Sequence, residues 1–351
     1  YLFSNFKRSD PANLEEFIIS RFGRKLYSMF FESYTEKVWG RHPLEISPEW
    51  GVQRIKGLSI RKLLLDIFQK SIAKITDNSS TEISQKNTET SLIERFLYPK
   101  LGPGQMWEEV SKDLQKQGVS ISMNQEVIGL RFSNESQKVD SLSVEDKDGN
   151  IKTSKFDYIV STMPIKDLVN KSTKEDGRNP FADDLVKIAS DLPYRDFITV
   201  GILLDSLSGP EDEELDDTWI YVQEPNVKVG RIQIFNNWSP YLVKDPNKYW
   251  IGLEYFCNEG DSLWNLSNKE MIELAQDEII QLKLSKKEHF CEATVLREKK
   301  TYPAYFDSYQ EFDKLIECFN QTNNLFLIGR NGMHKYNNQD HSMLSGFRAA
   351  E

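Results

Sequence analysis

The feature that most restricts what this chain can fold into lies near its end. An apolar run at residues 325–328 passes straight into Gly329. A dense polar loop follows through Asn337, and a helical pattern begins near Asn338 to Asp340. A buried strand that feeds a glycine-bearing turn and then a helix belongs to a layered α/β-type arrangement. The amino end of a helix carries unpaired N–H groups and a partial positive charge. Such an end suits an anion, or a group that gains negative charge. The competing reading is an ordinary strand-to-helix turn capped by Asn or Asp. The density of polar groups on a buried strand favours a site.

Length and charge narrow the partners. At 351 residues the chain is long enough for more than one domain. Its 44 basic residues against 54 acidic ones leave a net charge of −10, which argues against a general nucleic-acid surface. A local basic pocket for a phosphate remains compatible with that balance. No apolar run approaches the length needed to span a bilayer. Cys257, Cys291 and Cys318 are scattered and odd in number, which fits a reducing cytoplasm rather than a disulfide framework. The four histidines, His42, His289, His334 and His341, lack metal-ligand spacing, so no metal is expected. The chain begins at Tyr1 and stops at Glu351 inside a helical pattern, so both ends read as cut.

The first hundred or so residues read as helical. Asp10-Pro11 is a start signal, and Leu14, Phe17 and Ile18 follow at helical spacing. Gly23 interrupts the pattern, and Leu26, Met29, Phe30 and Ser33 resume it. Residues 59–68 carry another apolar stripe, and residues 76–91 read as a flexible polar loop. A further helix carries Met106, Trp107, Val110 and Leu114 and stops at Gly118. The period then changes to two. Strands are expected at 120–123, 127–132, 139–145 and 151–155, with Asp148-Gly149 as a hairpin turn. Residues 158–160 read as a short buried strand ending at Ser161, Thr162, Met163 and Pro164. A second strand-rich block covers 197–204, 218–222, 231–235 and 249–255. Ser267 and Glu270 form a capping-box pair, Val295 sits in a further strand, and Phe312, Leu315, Ile316 and Phe319 mark a late helix. The alternation suggests two interleaved domains built from discontinuous segments.

Three constellations carry chemistry. The first is the segment from Gly329 to Met343, whose helix amino end suits the N1–C2=O edge of a reduced flavin. The second runs from Tyr34 through Thr35, Glu36, Lys37 and Val38 to Trp39 and Gly40, placing two aromatics, a hydroxyl and a cation at a helix end. Aromatics stack on a base or sugar face and Lys meets a phosphate, although Tyr and Trp at a helix end are more often core. In the third, Arg231 opens an apolar strand, with Gln233 and Phe235 on the same face by alternation. An arginine and a glutamine there suit a pocket wall that holds phosphate, or equally an exposed sheet face. Gly102-Pro103-Gly104 does not make a GxGxxG, because Trp107 stands at the third glycine position.

The residues from Phe22 to Gly40 resemble the FGRKxY…FFxxYTxKxWG signature of the UDP-galactopyranose mutases. The segment from Gly329 to Met343 is similar to their flavin-facing GR…YKYYDMDQ stretch. Wider relatives of that group are the flavin amine oxidases, protoporphyrinogen oxidases and phytoene desaturases. The piece from Asp157 to Pro164 resembles their second FAD-contacting strand, and Glu126-Val127 the strand whose backbone meets the adenine. The resemblance implies a mixed α/β, two-domain flavoprotein of the glutathione-reductase/amine-oxidase type, without the N-terminal GxGxxG βαβ unit that holds the FAD pyrophosphate. It implies FAD as cofactor, held by Val127, Ser161, Thr162, Met163, Gly329, Arg330, Asn338, Gln339, Asp340, His341 and Ser342. It implies a substrate side formed by Tyr34, Thr35, Trp39, Arg54, Arg231 and Tyr336, with Arg231 as the catalytic, diphosphate-holding cation.

In the mutases, reduced flavin attacks the sugar anomeric carbon while two arginines hold the diphosphate. Arg231 matches one of them. The other closes an RxPxR-like stretch that here runs from Arg54 to Leu58, so Leu58 stands where arginine is expected. Lys56 and Arg61 are the nearby candidates to replace it, although Lys lacks the bidentate fork. Asn337, Asn338 and His341 stand where the mutases carry Tyr, Asp and Gln. These departures favour a sister group of mutase-like FAD-dependent oxidoreductases placed in cell-surface polysaccharide synthesis, and the resemblance implies a small-molecule substrate such as a UDP-sugar or related glycan precursor. An FAD-dependent oxidoreductase on an apolar or amine substrate is the alternative. The expected domain plan assigns residues 1–115 to a helical part of the substrate domain and 116–165 to FAD-domain strands. Residues 166–306 form the mixed-sheet substrate domain, and 307–351 the C-terminal FAD segment.

Overall fold

Local capping sets where the first helices begin and end. The computed structural model describes residues 10–54, 96–133, 137–211 and 213–351. Helix α1 (Leu14–Phe22) starts at Asn13, whose side chain accepts from the Glu16 N–H, so Asn13 and not Asp10 is the cap. Gly23 closes it at φ 81° and hands over to α2 (Arg24–Phe30), followed by α3 (Glu32–Trp39) and α4 (Pro48–Arg54). In α2 the buried residue is Tyr27, while Leu26, Met29 and Phe30 are exposed, the reverse of the expected face. The expected helix at 59–68 and the loop at 76–91 lie outside the described residues. Helix α5 (Pro103–Lys116) ends before Gly118, at φ 89°, as the sequence predicts. Its stripe of Met106, Trp107, Val110 and Leu114 is exposed.

The strand period then holds, with one exception. Residues 120–123 form no strand; they lie between Gly118 and Asn124, which has φ 56°. Strands β1 (Gln125–Phe132), β2 (Val139–Asp146) and β3 (Ile151–Lys155) follow, with the turn into β3 held by Asp146, whose Oδ1 accepts from the N–H groups of Asp148 and Asn150. Then come β4 (Ile159–Ser161), α6 (Ile165–Asn170), β5 (Ser172–Thr173), α7 (Asp183–Ser190) and β6 (Tyr194–Leu204). Next are β7 (Trp219–Tyr221), β8 (Arg231–Ile234), the short α8 (Phe235–Trp238) and β9 (Tyr249–Cys257). Helix α9 (Asn268–Gln281) opens on the predicted capping box of Ser267 and Glu270. The chain closes with β10 (Phe290–Pro303), α10 (Phe312–Phe319), β11 (Leu325–Leu327), α11 (Gly329–Gly332) and α12 (Gln339–Ala350).

These elements form two compact units, each discontinuous in sequence. The first comprises 1–112, 198–257 and 261–296, and the second 113–197, 258–260 and 297–351. The divisions fall at 112/113, 197/198, 257/258, 260/261 and 296/297, whereas the sequence reading places its three at 115/116, 165/166 and 306/307.

The first unit is built on the five-stranded sheet β10-β6-β9-β8-β7, packed by α9 through Met271, Ala275 and Ile279. Alternate residues of β6 (Ile198, Val200, Ile202, Leu204) fill its core, together with Ile232, Ile251, Leu253 and Tyr255. The second unit holds the antiparallel meander β3-β2-β1, extended by β5, and the parallel pair β11-β4. Its core joins Leu130, Phe132 and Val139 to Ile165, Leu168, Leu315 and Phe319. Asn324, 4% exposed, ties this unit together: its side chain exchanges two bonds with the Val139 backbone and donates to the Asp157 carbonyl. The expected burial of the pair is only half realised. Ile159 and Leu325 are buried, but Tyr158, Val160 and Phe326 on the opposite face are exposed. No described helix is long and apolar enough to cross a membrane.

Candidate active-site residues

In the second unit the residues of the C-terminal motif converge on the end of β4. Strand β11 runs parallel to β4, and the Ile328 N–H donates to the Ser161 carbonyl at 3.0 Å. Gly329 takes φ 71° against the Thr162 side chain, which favours glycine. A Cβ at Gly332 would stand 2.5 Å from the Ser161 carbonyl oxygen, so only glycine permits this approach. The polar loop thus contains one helical turn, α11, that packs on the residues predicted to face the cofactor. Ser161 Oγ accepts from the Met163 N–H and shapes the turn.

Arg330 organises the loop beyond. Its Nε donates to the Asn337 carbonyl at 2.9 Å and one Nη to the Thr301 carbonyl at 3.1 Å. Its guanidinium lies over the rings of Tyr302 and Tyr336, which stack on each other with centroids 5.2 Å apart. Tyr336, predicted on the substrate side, is therefore part of this stack, and its N–H donates to the Tyr305 hydroxyl. Helix α12 begins where the sequence predicts. No side chain caps its amino end at Asn338, while Gln339, Asp340 and His341 are exposed and Ser342 bonds back to the Asn338 carbonyl. Asn331 Oδ1 is buried without a hydrogen-bond partner. The N–H groups of an uncapped helix end and an orphaned buried amide oxygen are the polar groups this segment offers a ligand. Val127, at the predicted adenine strand, gives its carbonyl to Lys171 Nζ, which also pairs with Glu126.

His334 is a residue whose role sequence reasoning missed. It is fully buried at φ 46°, ringed by Tyr194, Tyr309 and Phe312. Its Nε2 meets the Ala304 carbonyl at 3.1 Å, and Nδ1 has no partner. Burial pushes its pKa down to about 4, so the ring is neutral.

In the first unit, Tyr34 meets Tyr221 edge-on at 5.0 Å, and Tyr221 stacks on Trp219. Trp219 in turn meets Trp238, which stacks on Tyr98. Tyr34, Tyr221 and Trp219 are partly or largely exposed. Thr35 and Trp39, each 2% exposed, are core residues, and Trp39 packs edge-on against Trp50. The side chain of Arg54 and all of Lys56, Leu58 and Arg61 lie outside the described residues.

Arg231 is 6% exposed and sits between the rings of Trp219 and Phe256, at 4.9 and 4.8 Å. Its Nε is 2.5 Å from Glu254 Oε2, and Gln233 donates to the other Glu254 oxygen. Alternation did bring Arg231 and Gln233 to one face, but Phe235 leaves the strand to begin α8. The partner carboxylate went unnoticed in the sequence, although a lone Glu inside the apolar run of β9 is the signal for it. Burial raises the Glu254 carboxyl above its usual range, opposed by Arg231 and Gln233. Lys37, read as a phosphate contact, instead donates to the carbonyls of Val222, Glu224 and Val229 at 3.1, 2.6 and 3.2 Å. Burial lowers its pKa, opposed by Glu224 and Glu278.

No protein-family model matches the chain. Solved structures share its fold. A reduced UDP-galactopyranose mutase superposes with a TM-score of 0.70 at 20% identity, over 98% of this chain and 67% of that one. A proposed protoporphyrinogen oxidase from Exiguobacterium sp. 255-15 gives 0.61 at 12%, over 99% and 70%. An oxidoreductase from Methanosarcina mazei gives 0.60 at 12%, over 98% and 69%. The mixed α/β fold expected from the sequence is thus the fold these proteins share.

Proposed function

We propose that this chain is part of an FAD-dependent enzyme acting on a nucleotide sugar or related glycan precursor in cell-surface polysaccharide synthesis. The carrying observation is the packing of Gly329 and Gly332 on the Ser161–Thr162 turn, together with the Asn337 amide bond to the Gly329 carbonyl just before the uncapped start of α12. The fold shared with a UDP-galactopyranose mutase supports the same reading. In it, the second unit is the cofactor side. Ser161, Thr162, Met163, Gly329, Arg330 and residues 338–342 hold the flavin ring, and Val127 lies toward the adenine. When bound, the flavin supplies a reducible ring whose N1–C2=O edge gains negative charge on reduction. The α12 amino end would stabilise that charge.

The first unit is the substrate side. Tyr34, Tyr221 and Trp219 offer ring faces for a base or sugar, and Arg231 offers the cation for phosphate. A second reading, a redox enzyme on an apolar or amine substrate, is favoured by one observation. Glu254 neutralises Arg231, leaving an aromatic surface without net positive charge at that point.

The natural full-length protein separates the two. It should purify yellow, and its dithionite-reduced form should interconvert UDP-galactopyranose and its furanose isomer without a net electron acceptor. Turnover that requires an acceptor supports the second reading, and a colourless protein that gains no flavin overturns both.

A further inference from the structure

We propose that Lys37 is a positioning residue: its ammonium clamps the β7–β8 hairpin to α3 and so sets Tyr221, with Trp219 stacked on it, against Tyr34 for a nucleotide base. This rests on the nucleotide-sugar reading above. An ammonium has three N–H donors and no acceptor. Lys37 meets three acceptors, the carbonyls of Val222, Glu224 and Val229, all in the segment that joins β7 to β8. The donors are saturated, so none is left for a phosphate. A tetrahedral ammonium suits three carbonyls converging on one nitrogen, whereas a planar guanidinium does not.

The clamp links the elements that carry the ring faces. Tyr34 and Lys37 are three residues apart on α3 and therefore share one face. The hairpin that Lys37 grips begins with Trp219 and Tyr221 and ends with Arg231. A second, weaker bond runs the opposite way, from Gln223 Nε2 of that segment to the Phe30 carbonyl of α2 at 3.2 Å. From its other side the segment is held by the buried carboxylate of Glu278. That group accepts from the Lys228 and Val229 N–H groups at 2.5 and 3.0 Å and from the Tyr255 hydroxyl at 3.1 Å. The segment is thus fixed by one cation on its carbonyls and one anion on its amides.

Lys37→Met keeps the stem and removes the donors, and Lys37→Arg keeps the charge but not the geometry. UDP affinity would be titrated in the full-length protein at a temperature where tryptophan emission shows the first unit folded. Amide exchange of Val222 and Gly230 would be followed in parallel. Lys37→Met should weaken UDP binding and speed that exchange, each by about tenfold or more, as expected for losing charge-assisted bonds. Lys37→Arg should stay close to Lys37→Met. Should Lys37→Met fold poorly, Lys37→Gln, which retains two donors, should give intermediate values of both. Unchanged exchange and affinity in Lys37→Met would overturn the proposal. So would wild-type affinity in Lys37→Arg, because that outcome makes Lys37 a phosphate-binding charge. Failure of the wild-type protein to bind UDP would instead strike the nucleotide-sugar reading, and the exchange arm would still decide whether Lys37 clamps the hairpin.

Discussion

Mild acid should loosen the second unit through His334. Its ring is fully buried, with Nε2 on the Ala304 carbonyl and three aromatic rings around it, and its pKa is pushed down from 6.5 to about 4. Below pH 6.5 the unfolded chain takes up a proton that the folded one refuses, so the folded state loses stability as pH falls. The loss begins near 6.5 and is complete below about 4. The gap of about 2.5 pH units, at about 1.4 kcal/mol each, sets the full effect at about 3 kcal/mol. Between pH 8 and pH 5 it amounts to about 2 kcal/mol. Tryptophan emission is the wrong assay, because all seven tryptophans lie in the first unit. Amide exchange at Ile159 and Ile328, corrected for intrinsic rates, reads the second unit directly, since both amides are bonded within it. The control is His334→Asn, because Asn tolerates the positive φ of 46° and does not titrate. His341, the other histidine of that unit, is present in both proteins and so cancels in the comparison. The variant should be less stable at pH 8 but should lose about 2 kcal/mol less on going to pH 5. If wild type and His334→Asn show the same change from pH 8 to pH 5, the buried neutral histidine is not the source.

Three further outcomes follow from packing and pairing. Gly332→Ala drives a Cβ to 2.5 Å from the Ser161 carbonyl oxygen, a backbone atom that cannot swing away. It should cost about 1–3 kcal/mol in urea unfolding of the second unit, together with weaker flavin retention. Glu254→Gln leaves Arg231 buried without its counter-charge and should cost about 3–5 kcal/mol, read by tryptophan emission from the first unit. Ser267→Ala removes the capping box of α9 and should cost about 1 kcal/mol by the same readout.

What the sequence disclosed was local. Gly23 as a helix stop, the Asp148-Gly149 hairpin, the Ser267 capping box and the start of α12 after Asn338 are all set by short-range chemistry. Each involves a backbone conformation or an orphan N–H that one or two neighbouring residues must satisfy, so the signal sits within a few positions. Period alone was weaker. Residues 120–123 alternate like a strand yet form none among the described residues, because a ladder needs a partner and alternation does not supply one. The same limit explains β4 and β11, which read as buried runs but leave Tyr158, Val160 and Phe326 exposed.

The pairings that organise the candidate site lie on the other side of that limit. Lys37 reaches carbonyls up to 192 positions away, and a carbonyl is present at every residue, so no pattern in the sequence could single out Val222, Glu224 and Val229. Glu254 differs in kind. It is a charged residue inside an apolar strand, and burying a lone carboxylate is too costly to go unmatched. A partner cation was therefore implied, and Arg231, opening the short apolar strand β8, was one of the candidates, beside Arg195 of β6. Reading the two anomalies together would have narrowed the partner to a few arginines before any coordinates. It would also have changed the chemistry inferred, from an unengaged phosphate-binding arginine to one whose charge is already shared. An anion that binds Arg231 meets a guanidinium whose Nε is already engaged by Glu254. How far such an anion draws the arginine away turns on Gln233, which holds the carboxylate, and on the rings of Trp219 and Phe256, which hold the guanidinium, in a buried setting where a lost partner is costly.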